Sequence, residues 1–173
     1  MRTWPRALHP LTLAGLVVGL CIGLNEPCIA FAGEVLLNRK APEFIRMDLH
    51  GKRVDLNAYR GKVVLLNFWA TWCAPCQVEL PQFVSWKKEY GAGGLQVIGI
   101  SMDDDPTVVR TLSKKMRLNY PIAMGDEELG ELYGGILGLP VTYLIDKDGF
   151  IRAEFRGETD LRVIESQLKL LLN

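Results

Sequence analysis

Apolar residues along this chain gather into runs of two kinds. Val63 to Trp69 (VVLLNFW) and Leu95 to Ser101 (LQVIGIS) are short and almost continuously apolar. Runs of that length without alternation predict strands buried on both faces. Val141 to Ile145 (VTYLI) is a third such strand. Ile151, Ala153 and Phe155 instead alternate with Arg152, Glu154 and Arg156 after a turn at Lys147-Asp148-Gly149, which predicts a strand with one polar face. Upstream, Phe44 to Leu49, a turn at His50-Gly51 and Lys52 to Leu56 predict a β-hairpin. Helical signals fill the gaps. A helix is expected from Cys73 and Cys76 to about Tyr90, where Gly91, Gly93 and Gly94 end it. Asp105 reads as an N-cap with Pro106 at the first helical position, and Val109, Leu112 and Met116 supply one face. Asp126 to Tyr133 predicts a short helix. Thr159 is expected to cap a last helix striped by Leu161, Ile164, Leu168 and Leu171. Strands alternating with helices predict an α/β fold: a central mixed β-sheet flanked by helices, with an N-terminal β-hairpin extension.

The start of the chain follows a different pattern. Arg2 and Arg6 precede an uncharged apolar run, Leu11 to Leu24, which Asn25, Glu26 and Pro27 break. The run is shorter than the roughly 20 residues of a membrane-spanning helix. Ala30-Phe31-Ala32 is a small-x-small site. Together these predict a secretory signal over residues 1–32, cleaved before Gly33, with an uncleaved N-terminal membrane anchor as the alternative. Residues 33–173 then form one domain, in a periplasmic or other extracytoplasmic compartment.

Of 173 residues, 49% are hydrophobic, ample for one core, and the formal net charge is zero. That balance gives no reason to expect nucleic acid as a partner. Losing Arg2, Arg6 and Glu26 with the signal leaves 18 basic and 19 acidic residues. It also removes Cys21 and Cys28, so the exported domain keeps Cys73 and Cys76 alone. One close pair is not the framework of a disulfide-stapled scaffold. Haem attachment needs a histidine after the second cysteine, where Gln77 stands. Structural zinc needs four ligands, and the domain offers the pair and His50. No histidine or methionine adjoins the pair to suggest copper carriage. No metal and no cofactor are expected. A redox pair has a physical basis. Cys73 at the first turn of a helix gains a stabilised thiolate from unpaired N–H groups and the helix dipole. An exposed Cys73 is then the nucleophile, and Cys76, one turn in and more buried, the resolving thiol. An inert disulfide is the alternative.

"NFWATWCAPCQVELP", "VIGISMDDDP" and "GLPVTYLIDKDG" occur in that order, and together they resemble the thioredoxin superfamily. The resemblance is closest to the TlpA/ResA-like thiol-disulfide oxidoreductases of the cytochrome c maturation type, and it covers about residues 36–172. It implies a thioredoxin-like fold. It implies a cis Leu139-Pro140 bond facing the cysteines, with Gly138 permitting close approach and backbone there pairing to extended substrate. Trp72, Ala74 and Pro75 join Leu139 and Pro140 as expected substrate contacts, and Trp69 is expected in the core. Glu79 matches an acidic family position, and being three residues after Cys76 it could sit over that thiol and exchange its proton. A solvated early-turn glutamate is the alternative. Pro81 is expected to kink the helix. Where thioredoxin carries a buried aspartate this chain has Asn67, expected to bond nearby backbone, so acid–base duty shifts to Glu79. Asp103 to Asp105 is expected to be a solvated helix entry.

Ala74 and Pro75 supply neither charge nor side-chain donor to a Cys73 thiolate, so the oxidised form is favoured and the pair is expected to be a reductant. Its substrates are then protein disulfides, with apocytochrome c as the example the resemblance favours and copper-site assembly proteins next. The resemblance also implies a membrane electron donor of the DsbD/CcdA kind, and a tether if the N-terminus is uncut. A protein thiol oxidase, a thiol peroxidase and a non-enzymatic client-binding domain remain open.

Overall fold

The computed structural model describes residues 36–173; the predicted signal or anchor lies outside the described residues. Its centre is a five-stranded mixed sheet. In chain order the strands are β3 (Val63–Trp69), β4 (Leu95–Ser101), β5 (Ile122–Met124), β6 (Val141–Ile145) and β7 (Ile151–Arg156), preceded by a hairpin of β1 (Ile45–Met47) and β2 (Arg53–Asp55). The sheet order is β5-β4-β3-β6-β7. β3 runs parallel to β4, β4 runs parallel to β5, and β6 and β7 are antiparallel.

β3 is central, and its alternate residues feed two separate cores. Val63, Leu65 and Trp69 pack with Cys76, Leu80, Phe83 and Trp86 of α1 (Ala74–Tyr90), Val109 of α2 (Pro106–Met116), and Ile164 and Leu168 of α4 (Leu161–Leu172). Val64, Leu66 and Phe68 pack on the other face with Phe44, Val54 and Leu56, and with Leu129 of α3 (Glu127–Leu132). A continuously apolar sequence is what covering on both faces requires. The segment before β3 crosses that second face. Lys40 bridges to Phe150 beside β7, and Asp48 bridges to Ala123 in β5. The expected extension is present, with shorter strands than the pattern suggested, because Leu56–Tyr59 winds into a 3-10 turn.

The structure corrects several expectations. The helix after β7 is capped by Asp160, which accepts from Arg162 N, while Thr159 donates its hydroxyl to the Gly157 carbonyl. Ile151, Ala153 and Phe155 do not share a face. The β6–β7 register shifts between Leu144 and Ile145, so Ile151 enters the second core while Ala153 and Phe155 pack on the first. An extra residue on one strand resets the alternation beyond it. β5 was not anticipated; three residues give too short a pattern. Gly138 is exposed, and a Cβ there would meet no atom of the described residues within 4 Å, so the fold's own packing does not require a glycine at this position. Pro81 lies within α1 on its exposed side.

Phe83 is fully buried between α1 and the sheet. Phe83→Ala is expected to cost about 3–5 kcal/mol, read as a lower denaturant midpoint at unchanged slope. A loss below about 1 kcal/mol would contradict this packing.

Candidate active site

β3 ends at Trp69 and α1 begins at Ala74, so Cys73 occupies the N-cap position between them. Its extended backbone aims Sγ back at the helix start, where Cys76 N–H donates to it at 3.3 Å. Pro75 has no N–H and follows Ala74 in the first turn, a position where proline's fixed φ suits a helix. Cys73 and Cys76 are joined as a disulfide with Cα atoms 5.3 Å apart. In the reduced state the same N–H and the helix dipole would act on a Cys73 thiolate.

Cys73 is not exposed as expected. In the disulfide it retains 5% of its accessible surface, because it joins the first core with Trp69 and Leu80. Trp72 is the exposed neighbour, at 70%, and Trp69 is buried. Ala74 is exposed and Pro75 half-buried.

The Leu139–Pro140 peptide is cis. Pro140 immediately precedes Val141, the register partner of Phe68, so it lies at the end of the sheet where β3 delivers the chain to the cysteines. Pro140 is buried, Leu139 half-buried, and the Pro140 carbonyl accepts from Gly157 N at 2.8 Å. Leu137, two residues before Leu139, is 98% exposed.

Glu79 lies on the inward face of α1 with Cys76, Leu80, Phe83 and Trp86, and is 3% exposed. The solvated alternative is thus excluded. Its Oε2 has no hydrogen-bond partner among the described residues. Burial, reinforced by repulsion from the Glu158 carboxylate, pushes its pKa up from 4.5 to about 7. Sequence reasoning did not find Glu158. It is remote in sequence, and the pairing of Arg156 with Val141, continued by the Gly157–Pro140 hydrogen bond, brings its loop to this end of the sheet.

Asn67 bonds differently from expectation. Its Nδ2 donates to Thr142 Oγ1 at 2.9 Å, and no backbone group is involved. The two residues are direct register partners on β3 and β6, which brings their side chains together. Asp105 caps α2 as predicted, accepting from Thr107 N at 2.7 Å. Asp103 is no part of a solvated entry. It is 7% exposed and bonded to Ser101 and Thr71.

The arrangement can carry out thiol-disulfide exchange. It combines a sulfur at a helix N-terminus, a second sulfur one turn in, and a buried carboxyl able to change charge near neutral pH.

Glu79 also gives the fold a pH dependence. Between about pH 4.5 and 7 the folded protein holds a proton that the unfolded chain releases. Stability is therefore expected to fall as pH rises through that window and then level off, by on the order of 3 kcal/mol. Glu79→Gln should flatten this dependence in denaturant titrations of the oxidised protein. An unchanged slope in the variant would show that another group is responsible.

Comparison with known proteins agrees with this geometry. Residues 37–154 match the model of the AhpC/TSA family. Thiol-disulfide oxidoreductase ResA of Bacillus thuringiensis subsp. konkukian is 36% identical over 135 residues, covering 77% of each chain. The crystal structure of a thiol:disulfide interchange protein of the thioredoxin family from Chlorobium tepidum superposes with a TM-score of 0.72 at 29% identity, covering 78% of this chain and 96% of that one. A secreted thiol-disulfide isomerase from Corynebacterium glutamicum superposes with a TM-score of 0.69 at 26% identity, covering 76% and 84%. The chain belongs to the AhpC/TSA family, as a thioredoxin-fold thiol-disulfide oxidoreductase.

Proposed function

We propose that this protein is an extracytoplasmic reductase of protein disulfides, with Cys73 as nucleophile, Cys76 as resolving thiol and Glu79 as their acid–base partner. The observation that carries the proposal is the Cys73–Cys76 pair at the start of α1, set at the same end of the sheet as cis-Pro140.

The Cys73 thiolate attacks one sulfur of a client disulfide. The client S–S bond breaks, and the released client thiolate takes up a proton. Ionised Glu79 accepts the Cys76 proton. The Cys76 thiolate then attacks Cys73 Sγ, forming the Cys73–Cys76 bond and expelling the second client sulfur. Two electrons pass to the client. With a pKa near 7, Glu79 is available in both charge states at neutral pH.

Two features support the direction. Ala74 and Pro75 offer a thiolate no charge and no side-chain donor. Glu79, on the face of α1 that carries Cys76, adds negative charge whenever it ionises, which disfavours a nearby thiolate and so favours the disulfide. Trp72, next to Cys73, and Leu139, packed against the core that contains both cysteines, supply apolar surface for an extended client segment, and exposed Leu137 extends it along the chain. The cleft of about 390 Å³ lies elsewhere, between the hairpin and the β4–β5 edge, lined by residues such as His50, Lys87 and Tyr120. The basic start, apolar run and Ala30-Phe31-Ala32 site support export, as does likeness to a secreted enzyme. Apocytochrome c is the client favoured by the maturation-type motifs, and a membrane donor of the DsbD/CcdA kind would re-reduce the pair.

Cys76→Ser is expected to accumulate a mixed disulfide between Cys73 and a model disulfide protein, visible by non-reducing electrophoresis and mass spectrometry. Cys73→Ser should abolish turnover. Peroxide-dependent turnover that survives in Cys76→Ser, with no trapped adduct, would instead favour a thiol peroxidase.

A further inference from the structure

We propose that Asp103 is a positioning residue for disulfide exchange: it clamps the Ala70–Cys73 turn, through Thr71, so that Cys73 Sγ is held where Cys76 can reach it. The proposal rests on exchange through this pair, and it is independent of the direction of electron flow.

Asp103 stands two residues past the end of β4, parallel to and beside the end of β3. Its carboxylate turns inward and away from the helix it precedes, whose N-terminus Asp105 already caps. Asp103 Oδ2 accepts from Thr71 N at 2.9 Å and from Ser101 Oγ at 2.7 Å. Oδ1 accepts from Thr71 Oγ1 at 2.5 Å. Both oxygens are therefore used, and two of the three bonds go to one residue of the turn.

Thr71 is held from the other side as well. Its carbonyl accepts from Gln77 Nε2, in the first turns of α1, at 2.7 Å. The neighbouring carbonyls are also occupied. Trp69 O accepts from Met102 N at 2.8 Å, and Ala70 O accepts from Cys73 N at 3.2 Å. The turn is thus tied to the end of β4 and to α1, although Trp72 within it is largely exposed.

The physical consequence concerns the intramolecular step. Cys76 is fixed in a packed helix, so the proximity of the two sulfurs depends on how firmly the preceding turn holds Cys73. Small displacements of reacting groups cost large factors in rate and effective concentration. Removing the carboxylate also leaves the part-buried Thr71 N–H without its acceptor, which favours rearrangement of the turn.

The experiment is the equilibrium of the Cys73–Cys76 pair with glutathione, measured on the full chain with cooperative unfolding checked in parallel. Asp103→Ala is expected to lower the equilibrium constant for forming the intramolecular disulfide by about 10- to 100-fold. Asp103→Asn can keep an oxygen for Thr71 N–H and an amide for the Thr71 hydroxyl, and should stay within about threefold of the unaltered protein. Thr71→Val removes one hydroxyl and should shift the constant in the same direction as Asp103→Ala, by about threefold or more. A folded Asp103→Ala protein with an unchanged constant would overturn the proposal. Equal impairment in Asp103→Asn would overturn it too, by assigning the effect to charge. Should Asp103→Ala not fold, an unchanged constant in Thr71→Val overturns it. Failure of the reductase reading would appear separately, in the constant of the unaltered protein.

Discussion

Seven consecutive residues of β3 are buried, and that burial fixes where the cysteines must be. A central strand covered on both faces has one register that satisfies both cores, since a slip of one residue would exchange Leu65 and Trp69 for Leu66 and Phe68. The strand ends with Trp69 opposite Ser101 of β4, and with Phe68 opposite Val141 of β6. The first pairing sets Asp103 beside the outgoing turn. The second sets Pro140 at the same end. α1 then starts immediately and packs Cys76, Leu80, Phe83 and Trp86 back onto β3. The cysteines and the residues around them are thus placed by strand pairing and by a hydrophobic core that includes both sulfurs.

Burial penalises the ionised form of Glu79. It occupies an inward position on α1 where an apolar residue would pack better, with one oxygen lacking a partner. A carboxyl held at such cost is a general signature of function. Its neighbour Glu158 works in the same sense, since a second negative charge also favours the protonated form. The site is consequently acidic around a pair of sulfurs whose reduced form carries negative charge.

The strongest periodic signals were legible in the sequence. The continuous runs of β3, β4 and β6 and the Asp105-Pro106 start of α2 are where the pattern put them. The CAPC stretch marked Cys73 and Cys76 as the candidate pair, because its spacing is local, and the two are joined as a disulfide. Features set by tertiary contact were not legible. Nothing near Ile122 announces a three-residue edge strand, and nothing near Ile151 announces the bulge that turns it to the opposite core. Asp103 reads as one of three solvated aspartates until β3 and β4 are paired and Thr71 comes within hydrogen-bond distance. Glu158 is silent for the same reason. The burial of Cys73 was misread because a helix N-terminus usually faces solvent, whereas here the turn folds its sulfur against Trp69 and Leu80.

The central claim is that this acidic, histidine-free setting makes Cys73–Cys76 an electron donor. The equilibrium reduction potential of the pair at pH 7 tests it most directly. The account predicts a value below about −220 mV, towards the roughly −270 mV of thioredoxin. A value near about −120 mV, typical of a strong oxidant, would contradict it.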